Sequence, residues 1–448
     1  MINSELDTSV TTKQPTKLLK RHLKIQLKLA KTSHNITDKK TSAMPGFFFA
    51  PNFDRRIIEM QNILLVDHTE RDHLLPLTYT RPVADIRVGV FTIAEKWEKR
   101  FGAEVSYLTQ DYLKRVFPSK IEDASHAING SIIPTRELVL EIESLGDGDS
   151  LYSNDIWVAT RTHNFVKGPT PGEKVEAKSK IDQINRSWKI FQLNDWALRE
   201  DFEWIKENYV ASSEEYAGVS LIGKDVFIEE GAIIRPSILN SETGPIFIAR
   251  GAEVMEGCLI RGGLALLEGA QLKMGTKIYG ATTVGPHSRV GGEVNNSVIF
   301  GYSNKGHDGF IGNTVIGEWC NLGADTNTSN LKNNYSDVKI YNYALGRSES
   351  TGGQFCGLTM GDHAKSGINT MFNTGTVCGV FANVFGAGFP HRRIPDFGWG
   401  GADGFKGYRI GDALEVAEKV MIRRGVALND DWKEVYKHIS EITKPKEN

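Results

Sequence analysis

The stretch SNKGHDGFIGNTVIGEWCNLGADTNTSN, Ser303 to Asn330, concentrates the side chains best suited to chemistry. His307 lies between Gly306 and Gly309, and Asn321 and Asn330 follow it. Imidazole titrates close to physiological pH, so a positioned histidine can take a proton from an attacking amine. Carboxamides beside it would hold and orient a polar substrate. A histidine in a glycine-flanked loop is also a common solvated turn residue; His287, His363 and His391 are weaker competitors for the same role. A second set lies near the start of the folded chain, where Asp67, Asp85, Arg71, Arg81 and Arg87 follow a buried-strand pattern, Ile63 to Val66.

The elements that carry the first set are legible from a period. Ile248, Val254, Ile260, Leu266, Leu272, Ile278, Val284 and Val290 recur every six residues. Neither a lone helix nor a simple strand has that period. A parallel β-helix does, with three six-residue sides closing a coil of about 18 residues and each aliphatic residue stacking inward on the next coil. A regular rod has no pocket, so sites are expected where the repeat breaks: residues 235–247, 295–310 with His307, and 327–354.

The repeat resembles that of the hexapeptide-repeat acyltransferases, which implies a left-handed β-helix, an assembly as a homotrimer and active sites in clefts between neighbouring rods. The segment GHDGFIGNTVIGEWCNLGADTNTSN resembles the acetyltransferase segment of bifunctional GlmU, in which a histidine precedes an aromatic residue, "IG", "NIGAGT" and an asparagine. The resemblance implies that His307 is the general base and that Asn321 and Asn330 hold substrate. Phe310 stands where tyrosine is usual. An upstream lysine of that family is replaced by Asn295, which leaves Lys277, Lys305 or Lys332 to supply charge for a sugar phosphate. It implies acetyl-CoA as co-substrate, and Arg392, Arg393 and Lys406 near the open end of the rod could meet its phosphates or form an ordinary solvated loop. A carbonic-anhydrase-like zinc site would need three converging imidazoles and an H-x-x-x-x-H element that is missing.

The earlier segment PLTYTRPVADIRVGVFTI resembles sugar-nucleotide pyrophosphorylases through Pro76-Leu77-Thr78, Arg81-Pro82 and Val88-Gly89, with INGSIIPT at a possible "NGD" strand end. The Gly-rich phosphate loop is replaced by DHTERDH, the usual lysine by Val83 and the metal-binding aspartate by Ser131. Nearly the whole chain after Met60 resembles, more closely than it resembles standard GlmU, a bacterial GlmU-like subgroup with an altered N-terminal domain, carrying "RPVADIRVG" and "EKW". That resemblance implies UTP and Mg²⁺, with Arg71, Arg81 and Arg87 toward the nucleotide and Asp67 and Asp85 toward the metal. It implies synthesis of UDP-N-acetylglucosamine for the cell envelope. Two alternatives stay open: a nucleotidyltransferase for another sugar-1-phosphate with a structural rod, and an acetyltransferase with a non-catalytic nucleotide-binding module.

The expected organisation is a basic, disordered extension at 1–59, an α/β Rossmann-like nucleotidyltransferase domain at 60–208, the β-helix at 209–400 and a helical tail at 401–448. Residues 184–206 read as a helical linker. Helices are expected from Gly411 to Arg424 and, capped by Asp430 or Asp431, on to Ile442. Residues 1–53 hold nine Lys/Arg against three Asp/Glu and also admit a membrane-surface or targeting helix. The 448 residues carry a formal net charge of -2, which offers nothing to nucleic acid. No apolar run approaches the roughly 20 residues of a membrane span. The four separated cysteines fit buried thiols in a reducing cytoplasm.

Overall fold

A computed structural model describes residues 62–121, 124–162, 165 and 172–444. The expected extension at 1–59 lies outside the described residues. Strand β1, Asn62–Val66, is buried along its length, as its apolar run requires. It pairs in parallel with β2, Glu104–Leu108, on one side and β3, Ala124–Asn129, on the other. Three further strands extend the sheet beyond β3, beginning with the antiparallel Ile156–Arg161. The helix Ile93–Phe101 starts at a capping box between Thr92 and Glu95 and ends at Gly102, φ 69°. It packs Trp97 into the core, with the indole N–H donating to Ile132 O at 3.0 Å.

The six-residue period builds a parallel β-helix with three faces. The first face is a nine-stranded sheet beginning at Val226–Ile228, the second a ten-stranded sheet beginning at Ile233–Ile234, and the third a six-stranded sheet beginning at Ser220–Ile222. Inward columns such as Ile248, Leu266 and Val284 are fully buried. In the regular part Leu266 pairs with Val284, one full coil on. The coils then shorten: Val284 pairs with Ile299, and Ile299 with Ile316. Ile316 pairs with Met360, much further along the chain, because an excursion leaves the coil. Residues 235–247, expected as a break, hold the strand Ile238–Asn240 and lengthen their coil only slightly, so that Ile228 still pairs with Ile248.

The excursion after Asn330 forms a hairpin, Lys339–Asn342 with Arg347–Ser350, and docks on the first domain. Asn342 Nδ2 donates to His73 Nδ1 at 2.9 Å, Arg186 pairs with Glu349 at 2.9 Å, and Tyr79 meets Tyr343 edge-on. The linker is helical, as Ser187–Gln192 and Asn194–Asn208. Asn194 ties three parts together: it accepts from Gly89 N at 2.7 Å, donates to Ala281 O at 3.0 Å and accepts from Thr283 Oγ1 at 3.1 Å. Gly89 has φ +73°, and a Cβ there would sit 2.4 Å from Asp201 Oδ2. That aspartate is buried, accepts from Val90 N and pairs with Lys96.

The two C-terminal helices occur at Ile410–Ile422 and Asp430–Ile442, the second capped by Asn429 rather than by either expected aspartate. They cover one corner of the rod, where His287, Tyr302, Trp319, His363, Phe381 and Phe397 all adopt φ between 50° and 61°. Their rings form a ladder, with Tyr302 on Trp319 at 4.1 Å and His363 on Phe381 at 4.5 Å. Non-glycine residues tolerate this region only where surroundings compensate; ring stacking does so here. The hydroxyl of Tyr436 lies 3.0 Å from His363 Nε2. Burial holds the His363 imidazole well below its usual range, so it folds neutral.

The unfolded chain protonates at about 6.5, the folded one lower, so stability is full above that value and lost as pH falls below it. His363→Phe keeps a ring in the ladder and removes the proton. Between pH 7.5 and 5 the variant should lose less stability than the wild type in urea melts, by up to about 1.4 kcal/mol per pH unit. Parallel losses would mean that His363 does not titrate on unfolding.

All four cysteines are buried and free. No helix among the described residues is long and apolar enough to cross a membrane.

Candidate active site

His307 occupies the corner between the second-face strand Asn304–Lys305 and the third-face strand Phe310–Gly312. Its side chain is exposed. Neighbouring coils hold the turn on both sides: Gly291 N donates to Lys305 O at 2.7 Å, Glu293 N to Gly309 O at 3.2 Å and Asp325 N to Asp308 O at 3.0 Å. Gly309 is required, because its φ is +114° and a Cβ would lie 2.3 Å from Thr326 O. The imidazole borders a groove of about 710 Å³ whose walls include Met255, Lys273, Asp308 and Asp325.

The other expected residues divide between two faces. Phe310 lies on the outer side of the third face, in the column Lys277, Glu293, Phe310. Lys277 is exposed and has no carboxylate within ion-pair distance among the described residues. Asn330 borders the far edge of the same face, where its Nδ2 donates to Asn313 Oδ1 at 2.8 Å. Asn321 is on the second face and accepts from Asn304 Nδ2 at 3.0 Å, so one rod does not bring it to Phe310. Lys305 is a correction. It occupies an inward position, between Val290 and Leu322, and is buried. It cannot reach a substrate on the outer surface.

A cation that the motif does not contain stands on the third face. Arg261 pairs in register with Tyr279 and shares a groove of about 660 Å³ with Lys277 and Tyr279. The period carries the signal, because Arg261 precedes Tyr279 by one coil. The residues expected at coenzyme A do not gather. Arg392 is exposed before the first-face strand Arg393–Ile394, and Arg393 lies 4.3 Å over the Tyr341 ring. Lys406 is on the terminal hairpin of the second face, opposite Trp399.

In the first domain, β1 has parallel neighbours on both sides, which opens a crevice at its carboxyl end. Asp67, His68 and Glu70 follow β1 there, and Asn129 ends β3, with Gly130 and Ser131 after it. Ser131 donates to Asn129 Oδ1 at 2.6 Å and accepts from Gln183 Nε2 at 2.9 Å; Gln183 also donates to Glu70. Glu70 raises the His68 pKa through their contact at 3.6 Å. His68 packs near the Trp157 ring. This polar cluster is not legible in the sequence, because Gln183 joins it only through tertiary pairing of Ile132–Ile133 with Asp182–Gln183.

Most of the expected nucleotide and metal ligands are engaged within the protein, although Arg87 also borders a groove of about 970 Å³ with Arg250 and Glu268. Arg71 donates to Thr78 O and Tyr112 Oη, both at 2.8 Å. Arg87 donates to Val90 O and pairs with Glu95. Arg81 crosses to the rod, pairs with Asp362 and lies 3.5 Å from both Glu318 and Asp85. Asp67 accepts from Val83 N at 2.7 Å and Thr109 Oγ1 at 2.6 Å, and burial pushes its carboxyl up to about 6. Burial likewise pushes Asp85 up to about 7. Mg²⁺ takes ionised oxygen ligands; these two carboxyls do not present a matching pair. No cluster of three His, Cys, Asp or Glu suited to a metal occurs among the described residues.

The chain is a two-part molecule, an α/β domain carrying a parallel β-helix. Residues 63–209 match the family model described as sugar nucleotidyl transferase. A bifunctional sugar-1-phosphate nucleotidylyltransferase/acetyltransferase of Sulfurisphaera tokodaii is 27% identical over 219 residues, 48% of this chain and 47% of that protein. The bifunctional protein GlmU of Methanocaldococcus jannaschii is 31% identical over 198 residues, 44% and 42% of the two chains. The chain therefore spans about half the length of the curated relatives it matches. Among solved structures, the N-acyltransferase AntD from Bacillus cereus, in complex with dTDP and 3-hydroxybutyryl-CoA, aligns at 12% identity and a TM-score of 0.21, covering 46% of this chain and 93% of that one.

Proposed function

We propose that the chain is a bifunctional sugar-1-phosphate enzyme whose rod acetylates glucosamine-1-phosphate from acetyl-CoA and whose first domain transfers UMP from UTP. The observation that carries the acetyl-transfer reading is the exposed His307 on a rigid corner, beside an outer face with Lys277 and Phe310. His307 takes the proton of the sugar amine as its nitrogen attacks the thioester carbonyl. The N–C bond forms, the C–S bond breaks, and the proton passes to the departing thiolate. Lys277 and Arg261 supply the positive charge for the sugar phosphate. Asn321 faces the other way and completes the site from a second copy, in keeping with a homotrimer.

The nucleotidyl reading rests on the family match and the crevice at the end of β1. Asp67 and Asp85, both held toward the protonated form by burial, do not fit a Mg²⁺ site. The inward arginines favour a second reading, an acetyltransferase whose first domain binds a nucleotide without turning it over. One assay separates the two: protein, glucosamine-1-phosphate, acetyl-CoA, UTP and Mg²⁺, with thiol and pyrophosphate release read independently. Release of both supports the first reading. Thiol release alone, with every nucleoside triphosphate tested, supports the second.

A further inference from the structure

The inward column of the second face carries no charge except at one coil. Val290 is followed in register by Lys305 where the regular pattern places an aliphatic residue, and the column continues with the buried Leu322. A lysine costs a great deal to bury unless its ammonium finds acceptors. Here Nζ turns to the corner and donates to Gly291 O at 3.0 Å and to His307 O at 2.6 Å. The coil before makes room for it: Gly292 has φ +75°, and a Cβ there would approach Nζ to 2.9 Å. No carboxylate lies within ion-pair distance among the described residues, although Asp308 and Asp325 act on it from further off.

We propose that Lys305 is a positioning residue that fixes the His307-bearing turn from inside the rod, coupling the ionisation of a buried amine to the setting of the catalytic base. The word catalytic rests on the acetyl-transfer reading; the coupling does not. Three observations converge on it. The side chain is inward and buried, so it serves no substrate directly. Its acceptors are carbonyls of the turn itself and of the adjoining coil. The neighbouring coils hold the turn at Lys305, Asp308 and Gly309, and the Lys305 ammonium adds the bond to the carbonyl of His307 itself. Burial also pushes the amine down to about 8, with Asp308 and Asp325 partly opposing, so its charge is lost within an accessible range.

The test uses the full chain labelled with ¹³C at histidine Cε1, the His307 signal being assigned by His307→Gln. In the wild type that signal should show an inflection near pH 8 from Lys305. Lys305→Met should abolish the inflection and shift the signal at pH 7. Lys305→Arg, charged throughout, should abolish the inflection as well. A wild-type signal with no inflection between pH 7 and 9 overturns the proposal, and this arm needs no variant to fold. A folded Lys305→Met that keeps the inflection also overturns it. Thiol release is measured in parallel. A drop in kcat of about tenfold at unchanged KM for acetyl-CoA in Lys305→Met supports positioning of the base. An inflection without acetyl transfer to any amino-sugar phosphate leaves the coupling standing and removes the reaction assigned to the site.

Discussion

On the proposed acetyl transfer, His307→Ala should lower thiol release from acetyl-CoA in the presence of glucosamine-1-phosphate by about 10²- to 10⁴-fold, the worth of a positioned general base, and should leave pyrophosphate release unchanged. The separation is expected because His307 lies on an exposed corner of the rod, and none of its turn's hydrogen bonds reaches the first domain. The effect should fall on kcat, since a base acts in the transition state and not on binding. His307→Gln should behave alike, which distinguishes lost proton transfer from a lost polar contact. Folding is not at issue, because the side chain is exposed and supports no neighbour. Thiol release within threefold of wild type in either variant would remove the base assignment.

The second large effect is on stability. Arg81 is 5% exposed and meets Asp362, Glu318 and Asp85, with its guanidinium 5.0 Å from the centre of the Phe300 ring. Asp362 also accepts from Thr80 Oγ1 at 2.8 Å and Glu318 N at 2.9 Å. One buried carboxylate thus forms a junction between the first domain and the rod. Arg81→Met leaves that carboxylate buried without its cation, which costs about 3–5 kcal/mol. The double variant Arg81→Met/Asp362→Asn should recover part of the loss, because it removes the orphaned charge as well. Guanidinium unfolding reads both. A loss below about 1 kcal/mol, together with loss of pyrophosphate release, would return Arg81 to the nucleotide.

This junction shows where sequence reasoning succeeds and where it stops. The rod is legible because a period of six is a local property: every inward residue from Ile248 to Val290 occupies its expected column. The corner at His307 is legible because it falls where that period slips. Arg81 is misread because a motif records residue types and not their direction. The same Arg-Pro that elsewhere accompanies a nucleotide site here points across a domain junction, and the partner Asp362 lies 281 residues away. Lys305 is misplaced for a related reason. A charged residue is presumed to face water, and only the β-helix register puts it inside. The aromatic ladder is invisible because its members follow one another at unequal intervals, set by the breaks themselves. The hairpin at Lys339–Ser350 reads only as polar sequence, since its function in packing depends on Asn342 and Tyr343 meeting the first domain.

Mass analysis of the sugar after incubation with protein and acetyl-CoA reads the proposed acetyl transfer without an intermediary. Glucosamine-1-phosphate should gain one acetyl group, on nitrogen, in step with thiol release and dependent on His307. No acetylated product from this or any other amino-sugar phosphate, or thiol release without product, would contradict that transfer.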